Sequence, residues 1–423
     1  MNRGIIRNIK LAGMWAVVLP VTLFSYIITW LDRRIKFPMG FPRDTEQLAN
    51  KQQWLIKALK KNGVLPVNAV VSDYKVKPLS QKMIFRSNIG IVEINYSLQG
   101  SNKTLKCMAK FAPTVGSIWN RTVFNLQLNH IKEVFFNKYF IGTDKEVSAP
   151  AVYHTGLGIL TGNFCLIMEY MEDCIEYALE ELPQSQFDLM LEAMAALHAR
   201  YWKDTSARMG FVFPITPTHV DFFDSMVAGK WSIDAQKVLV KSWCMVNEPE
   251  TILHGDARVG NMMFPAAPDR GRFVFIDWQA VRKGKGVFDL AYFLVLSLTP
   301  EKLSTTEQPA IDTYYKHLIN KGVTAYSKQQ LEEDYNHACL SVLVLLALPM
   351  LSGEASAEGD GAQIFAWGMN IWRERLQAKF ANFDYQWMAN RYGITETEGR
   401  DAIAEMLSVI ENRLKGISAG ANV

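Results

Sequence analysis

Leu253-His254-Gly255-Asp256-Ala257-Arg258-Val259-Gly260-Asn261-Met262-Met263-Phe264, followed by Phe273-Val274-Phe275-Ile276-Asp277-Trp278, is the stretch on which fold and chemistry both turn. Asp256 and Asn261 lie on one short loop between apolar flanks, so both side-chain oxygens can face a single cleft. Phe273 to Ile276 reads as a buried strand that delivers Asp277 to the same place. Transfer of a γ-phosphoryl group needs one carboxylate to orient a hydroxyl, plus a carboxylate and an amide oxygen to hold magnesium on the triphosphate. Each piece alone is weak, because His-Gly-Asp arises by chance and a lone Asp at a strand end is usually a turn residue. The ordered set at this spacing points to a catalytic and metal-binding loop.

Three motifs carry a family resemblance. His254-Gly255-Asp256 with Asn261 resembles the catalytic loop of the aminoglycoside phosphotransferase and choline kinase superfamily of small-molecule kinases. Ile276-Asp277-Trp278-Gln279 resembles its metal-binding motif, and Gly286-Val287-Phe288-Asp289-Leu290-Ala291-Tyr292-Phe293-Leu294 resembles a helix start of the ecdysteroid-kinase-like branch. The resemblance runs from about residue 80 to about residue 300 and thins beyond.

It implies an α+β, protein-kinase-like fold of two lobes. The amino lobe would be a small antiparallel sheet and the carboxyl lobe large and mostly helical, with an apolar helix ahead of both. It implies ATP and Mg2+ as cofactors and a small-molecule alcohol as acceptor. Asp256 would orient the acceptor hydroxyl and take its proton late, while Asn261 and Asp277 hold the metal. Lys110 matches the phosphate-binding lysine and Glu133 its ion-pair partner. Main-chain atoms of Glu169, Tyr170 and Met171 would meet the adenine edge. Ser87, Asn88 and Gly90 stand where a phosphate-covering loop is expected, although no G-x-G-x-x-G is present. Arg258 either neutralises charge in the transition state or faces solvent.

Size and charge set the frame. A chain of 423 residues suits two lobes and an appendage. The expected division is 1–40 for an apolar helix with basic flanks, 41–171 for the amino lobe, 172–416 for the helical lobe and 417–423 for a tail. The net charge of +3 is uneven, since residues 1–36 carry six Lys/Arg against Asp32 alone. The remainder is close to neutral, which argues against a nucleic-acid footprint. Cys107, Cys165, Cys174, Cys244 and Cys339 lack metal spacing and read as buried free thiols of a reducing compartment.

Leu11 to Leu31 contains no charged residue. At ~1.5 Å per residue, a helix of this run approaches the thickness of a bilayer core. Arg3, Arg7 and Lys10 precede it and Arg33, Arg34 and Lys36 follow, with Trp15, Tyr26 and Trp30 toward its ends. That pattern fits a membrane anchor, and a helix packed on the body or on a partner is the alternative. An ATP-using body places the chain at the cytoplasmic face of a membrane, or in the cytoplasm.

Elsewhere, helices are expected at 45–62, 124–139 and 187–202 and strands around 89–96, 105–111 and 164–168. A turn is expected at Gly100-Ser101-Asn102. Beyond 300 the expectation is helices at 304–321, 327–351, 361–381 and 396–415. His198 and His254 read as packing and bracing residues, and Asp289 as a helix and loop cap. The aromatic residues of 361–387 form either core or a wall for an apolar acceptor. Two functions from different classes fit: a kinase of a small-molecule alcohol, lipophilic (sterol-like or lipid-derived), aminoglycoside or choline; or a catalytically idle kinase fold that binds nucleotide or lipid as a scaffold.

Overall fold

The computed structural model describes residues 3–79, 88–113, 128–144, 146–177, 181–204, 250–267, 270–352 and 360–420, with isolated positions between them. It is a mixed fold of helices and antiparallel sheets.

The largest sheet has five strands: β1 (Val70–Pro78), β2 (Asn88–Leu98), β3 (Ser101–Phe111), β4 (Val152–Gly158) and β5 (Asn163–Glu169), in the order β1-β2-β3-β5-β4. The β2–β3 hairpin closes through Gln99 and Gly100, whose φ values are 53° and 83°. Two left-handed residues are what a right-twisted hairpin asks of a two-residue turn. The turn therefore lies one residue earlier than expected, and Ser101 and Asn102 already pair with Leu98 and Ser97. Helices α2 (Thr45–Asn50) and α3 (Gln52–Lys61) cover one face of the sheet, burying Leu48, Leu55 and Leu59 with Val92, Ile94, Ala109 and Phe111. The single helix expected over 45–62 breaks at Lys51, where ψ is 41°.

Helix α4 (Asn129–Phe136) continues into a wide turn at Asn137–Ile141 and packs beside the sheet through Val134. Leu128, expected inside this helix, stands at its start in a left-handed conformation with φ 57°, and residues 124, 126 and 127 lie outside the described residues. After β6 (Cys174–Ile175), α5 (Gln184–Arg200) opens the helical body. Four short strands then hold the motif region: β7 (Thr251–Leu253), β8 (Met262–Pro265), β9 (Val274–Phe275) and β10 (Arg282–Gly284). β7 pairs with β10 and β8 with β9, so both loops that carry the motifs are clamped at each end.

Helix α6 (Val287–Ser297) is buried along its whole length. Its apolar residues point in every direction, as a helix enclosed on all sides requires. Against it pack α7 (Pro300–Asn320), α8 (Lys328–Ser352) and α9 (Asp360–Ala381), while α11 (Glu396–Gly420) packs on α8, α9 and α10 (Tyr385–Tyr392). Helix α10 was not expected. Its Asp384 cap accepts from the Trp387 amide and Gly393 ends it with φ 68°, a start and stop legible in the sequence. Helix α11 runs to Gly420, into the stretch expected as a tail. Phe380, Phe383 and Tyr385 are buried against one another, which settles them as core.

Helix α1 (Arg3–Ile35) precedes the sheet. Among the described residues, no helix is long and apolar enough to cross a membrane. The helix is fastened to the body by Asp32, which accepts from Arg43 Nη1 at 2.9 Å and from Asn163 Nδ2 at 2.8 Å.

Candidate active site

The loop between β7 and β8 owes its shape to Gly255 and Asp289. Gly255 has φ +83°, and a Cβ there would lie 2.1 Å from the Ala280 carbonyl oxygen, so only glycine fits. The Asp289 carboxylate, one turn into α6, accepts from the His254 amide at 2.6 Å and the Gly255 amide at 2.9 Å. Burial works against the charge on Asp289, yet these donors and the adjacent His198 hold it below the usual carboxylate range. His198 reaches Asp289 at 3.2 Å and the Tyr314 hydroxyl at 2.7 Å. It packs and braces, as expected. The backbone amides that the Asp289 carboxylate binds belong to the loop, at His254 and Gly255.

His254 spans the two motifs. Its Nε2 lies 2.9 Å from the Ile276 carbonyl oxygen, and its Nδ1 accepts from the Asp256 amide at 3.4 Å. That pair of contacts fixes the tautomer with the proton on Nε2.

Asp256 is held from three directions. Asn261 Nδ2 donates to its Oδ2 at 2.7 Å and to its carbonyl at 2.9 Å, while the Tyr292 hydroxyl donates to Oδ1 at 2.9 Å. Arg258 Nε stands 3.4 Å from Oδ1. Burial opposes the Arg258 charge, but Asp256, Tyr292 and Asp277 raise its pKa above the ordinary value. Arg258 thus folds back over its own loop, at the site. Burial, with Asp256 alongside, pushes Tyr292 well above its usual range, so its hydroxyl keeps the proton it donates.

Asp277 follows β9 with φ 66° and ψ 66°, a left-handed conformation that a short polar residue accepts more readily than most. Its Oδ1 takes a hydrogen bond from Lys110 Nζ at 2.9 Å. Lys110 reaches across from β3 and also binds Glu133 Oε1, on α4, at 2.5 Å. Burial disfavours the ammonium, yet two carboxylates outweigh it and raise the Lys110 pKa. Glu133 is pushed up to about 7 by burial, with Lys110 opposing and Asp277 adding to the rise. For Asp277 burial also opposes charge, and Lys110 more than offsets it, leaving the carboxylate below its usual range. Lys110, Glu133 and Asp277 therefore form one relay from sheet to loop, buried at Lys110 and Glu133 and half-buried at Asp277.

A family profile described as the ecdysteroid kinase-like family matches residues 232–323. That span contains Asp256, Asn261, Asp277 and Asp289. This stretch is similar to that family. No curated protein sequence matches the chain. Among solved structures, choline kinase LicA from Streptococcus pneumoniae is 14% identical, covering 77% of this chain and 98% of its own, with a TM-score of 0.44. An ethanolamine kinase from Plasmodium vivax is 14% identical over 84% of this chain and 93% of its own, at 0.47. A choline kinase from Cryptosporidium parvum is 14% identical over 81% and 99%, also at 0.47.

The remaining expected site residues lie outside that stretch. Glu169 ends β5 and its carboxylate grips Arg272 at 2.6 and 3.0 Å, while Tyr170 has Lys106 5.9 Å from its ring centre and Met171 is buried. Asn88 Oδ1 accepts from the Thr45 amide at 3.1 Å. A Cβ on Gly90 would lie 2.7 Å from Thr45 Cγ2. Asn88 and Gly90 therefore meet the start of α2, apart from the Lys110 relay, because the sheet face they stand on is the one that helix covers. Ser87 lies outside the described residues.

Two site residues escaped the sequence reading. Tyr292 was recognised only as part of a motif, although its place one helical turn after Asp289 puts both on one face of α6. Arg282, on β10, has its guanidinium carbon 4.2 Å from the ring centre of Phe288. Burial lowers its pKa, against Asp289, Tyr292 and Asp256, and nothing in the sequence singled it out.

Proposed function

We propose that this protein is an ATP- and Mg2+-dependent kinase that phosphorylates a hydroxyl group of a small molecule. The reading places the chain on a protein-kinase-like fold of two lobes, with 41–171 covering the nucleotide and 172–416 carrying the loop and acceptor side. The observation that supports it most is the joining of Lys110, Glu133 and Asp277 by direct hydrogen bonds beside a loop in which Asn261 holds Asp256.

The donor set fits magnesium. Asn261 spends its Nδ2 on Asp256, which leaves its amide oxygen for a cation. Among the described residues, Asp277 Oδ2 has only a distant 3.5 Å contact from Gln279. Two hard oxygen ligands with phosphate oxygens completing the shell is the usual arrangement for Mg2+ on a triphosphate. When bound, the ion neutralises charge on the β- and γ-phosphates. Among the described residues, no group of three His, Cys, Asp or Glu could hold a metal by itself.

The chain's own residues do the rest. Lys110, pinned between two carboxylates, presents a permanent positive charge to the phosphates. Asp256, with its geometry set by Asn261 and Tyr292, accepts a hydrogen bond from the acceptor hydroxyl and takes its proton late in transfer. Arg258 lies beside Asp256, where a guanidinium offsets negative charge as the phosphoryl group moves. The acceptor in this reading is a lipophilic alcohol, and residues 11–31 bring the protein to the cytoplasmic face of a membrane where such a compound partitions.

Purified protein supplied with ATP, Mg2+ and a panel of alcohols should consume ATP only with particular acceptors. Asp256→Asn should lower kcat by about 10²–10⁴-fold, the range for loss of a positioned base. ATP and Mg2+ raising the Tm with no acceptor turned over would sink the enzyme reading in favour of an idle nucleotide-binding scaffold.

A further inference from the structure

Helix α1 is built inside out. Thr22, Ser25, Thr29 and Asp32 recur every three or four residues and so form one stripe along the helix. Ser25, Thr29 and Asp32 are buried against the body and Thr22 partly so, while Leu19, Leu23, Phe24, Ile27, Trp30 and Ile35 are exposed. An ordinary surface helix does the reverse and turns its polar side chains outward. The docking contacts are polar: Thr29 Oγ1 accepts from Asn125 Nδ2 at 3.4 Å, and Asp32 binds Arg43 and Asn163.

The same contacts bring a second apolar element alongside. Asn125 Nδ2 also donates to the Thr161 carbonyl at 3.4 Å, and Asn163 begins β5, so the β4–β5 turn is pinned next to the buried stripe of α1. At the tip of that turn, Ile159 is 60% and Leu160 63% exposed, as much as Leu19 at 60% and Leu23 at 61% on the helix. Two neighbouring large aliphatics at a turn tip are unusual beside water, where Gly, Asn, Asp and Ser dominate. Arg34 and Lys36, both exposed, sit at the end of the helix, and the Arg34 guanidinium lies 5.7 Å from the Trp30 ring centre. Apolar side chains, an interfacial aromatic residue and flanking cations together match the surface of a bilayer with anionic head groups.

We propose that the outer face of α1 and the Ile159-Leu160 turn enter the surface layer of an anionic membrane together, so that the five-stranded sheet is held against the bilayer at two points. This rests on residues 11–31 contacting a membrane, and adds to it a second, distant stretch of chain that fixes the orientation of the body.

The test uses the full chain and vesicles of phosphatidylcholine with phosphatidylserine. An environment-sensitive fluorophore is attached at Leu160→Cys, or at Ile319→Cys on α7 as the control, with Cys174 and Cys244 changed to Ser. The expected result is vesicle co-flotation of both proteins, with the probe at 160 brightened and quenched by acyl-chain nitroxides and the probe at 319 unaffected. Flotation with the probe at 160 still in water overturns the two-point surface and leaves the anchor standing. Absence of flotation removes both. Burial of the probe at 160 without vesicles, accompanied by dimers in light scattering, also overturns the proposal by showing that a second copy covers this face. An intact Tm with ATP and Mg2+ in each labelled protein separates these outcomes from misfolding and from failure of the kinase reading.

Discussion

The loop at 251–264 and helix α1 both turn their polar side chains inward, and they differ in what each inward group meets. In the loop the bracing groups meet specific partners: Asp289 takes two backbone amides, His254 a carbonyl, and Asp256 an amide and a phenol. In α1 the inward stripe makes a few contacts through Asp32 and Thr29, and among the described residues the buried Ser25 hydroxyl has no hydrogen-bond partner. The first pattern fixes atoms to a fraction of an ångström, as chemistry demands. The second only sets which way a helix faces. Polar burial therefore means preorganisation in one region and orientation in the other.

The sharpest way to break this contrast is Asp289→Ala. It strands the buried His254 and Gly255 amides and should cost about 3–5 kcal/mol of stability, read as a large loss of Tm. An unchanged Tm would show that the loop is not organised by that carboxylate. Asp32→Ala is the matching change in α1. It leaves Arg43 and Asn163 without their shared acceptor and should cost about 1–3 kcal/mol. The added Tm from ATP and Mg2+ should survive it, and loss of that increment would show α1 coupled to the site. The smallest expected effect is that of Tyr292→Phe, which removes one hydrogen bond to Asp256 while keeping the ring. A drop of about tenfold in kcat/KM, carried by kcat, corresponds to ~1.4 kcal/mol and sharpens the view that the loop positions its base. An effect carried by KM alone would place Tyr292 in acceptor binding.

Much of the loop was legible because its contacts are local or follow from motif order. His254 as a brace, and Asp256, Asn261 and Asp277 as neighbours, follow from short loops clamped by strands. Asp289 was half legible: a capping residue was evident, yet the amides it binds belong to a loop more than 30 residues earlier. What Asn88 and Gly90 would meet was not legible, since period-two alternation does not say which element will cover which face of a sheet. Helix α2, over forty residues upstream, takes that face.

By itself the sequence determined the order of strand, loop and helix around 251–297, the residue types able to hold magnesium, and an apolar run near the start. Those follow from spacing, side-chain chemistry and hydropathy, which are properties of neighbours along the chain. Only the tertiary structure decided that Lys110, expected to pair with Glu133, also takes Asp277, that Tyr292 reaches Asp256, and that α1 buries its hydroxyls while leaving its aliphatic side chains outside. Each depends on side chains distant in sequence becoming neighbours, through packing of whole elements that no local pattern encodes.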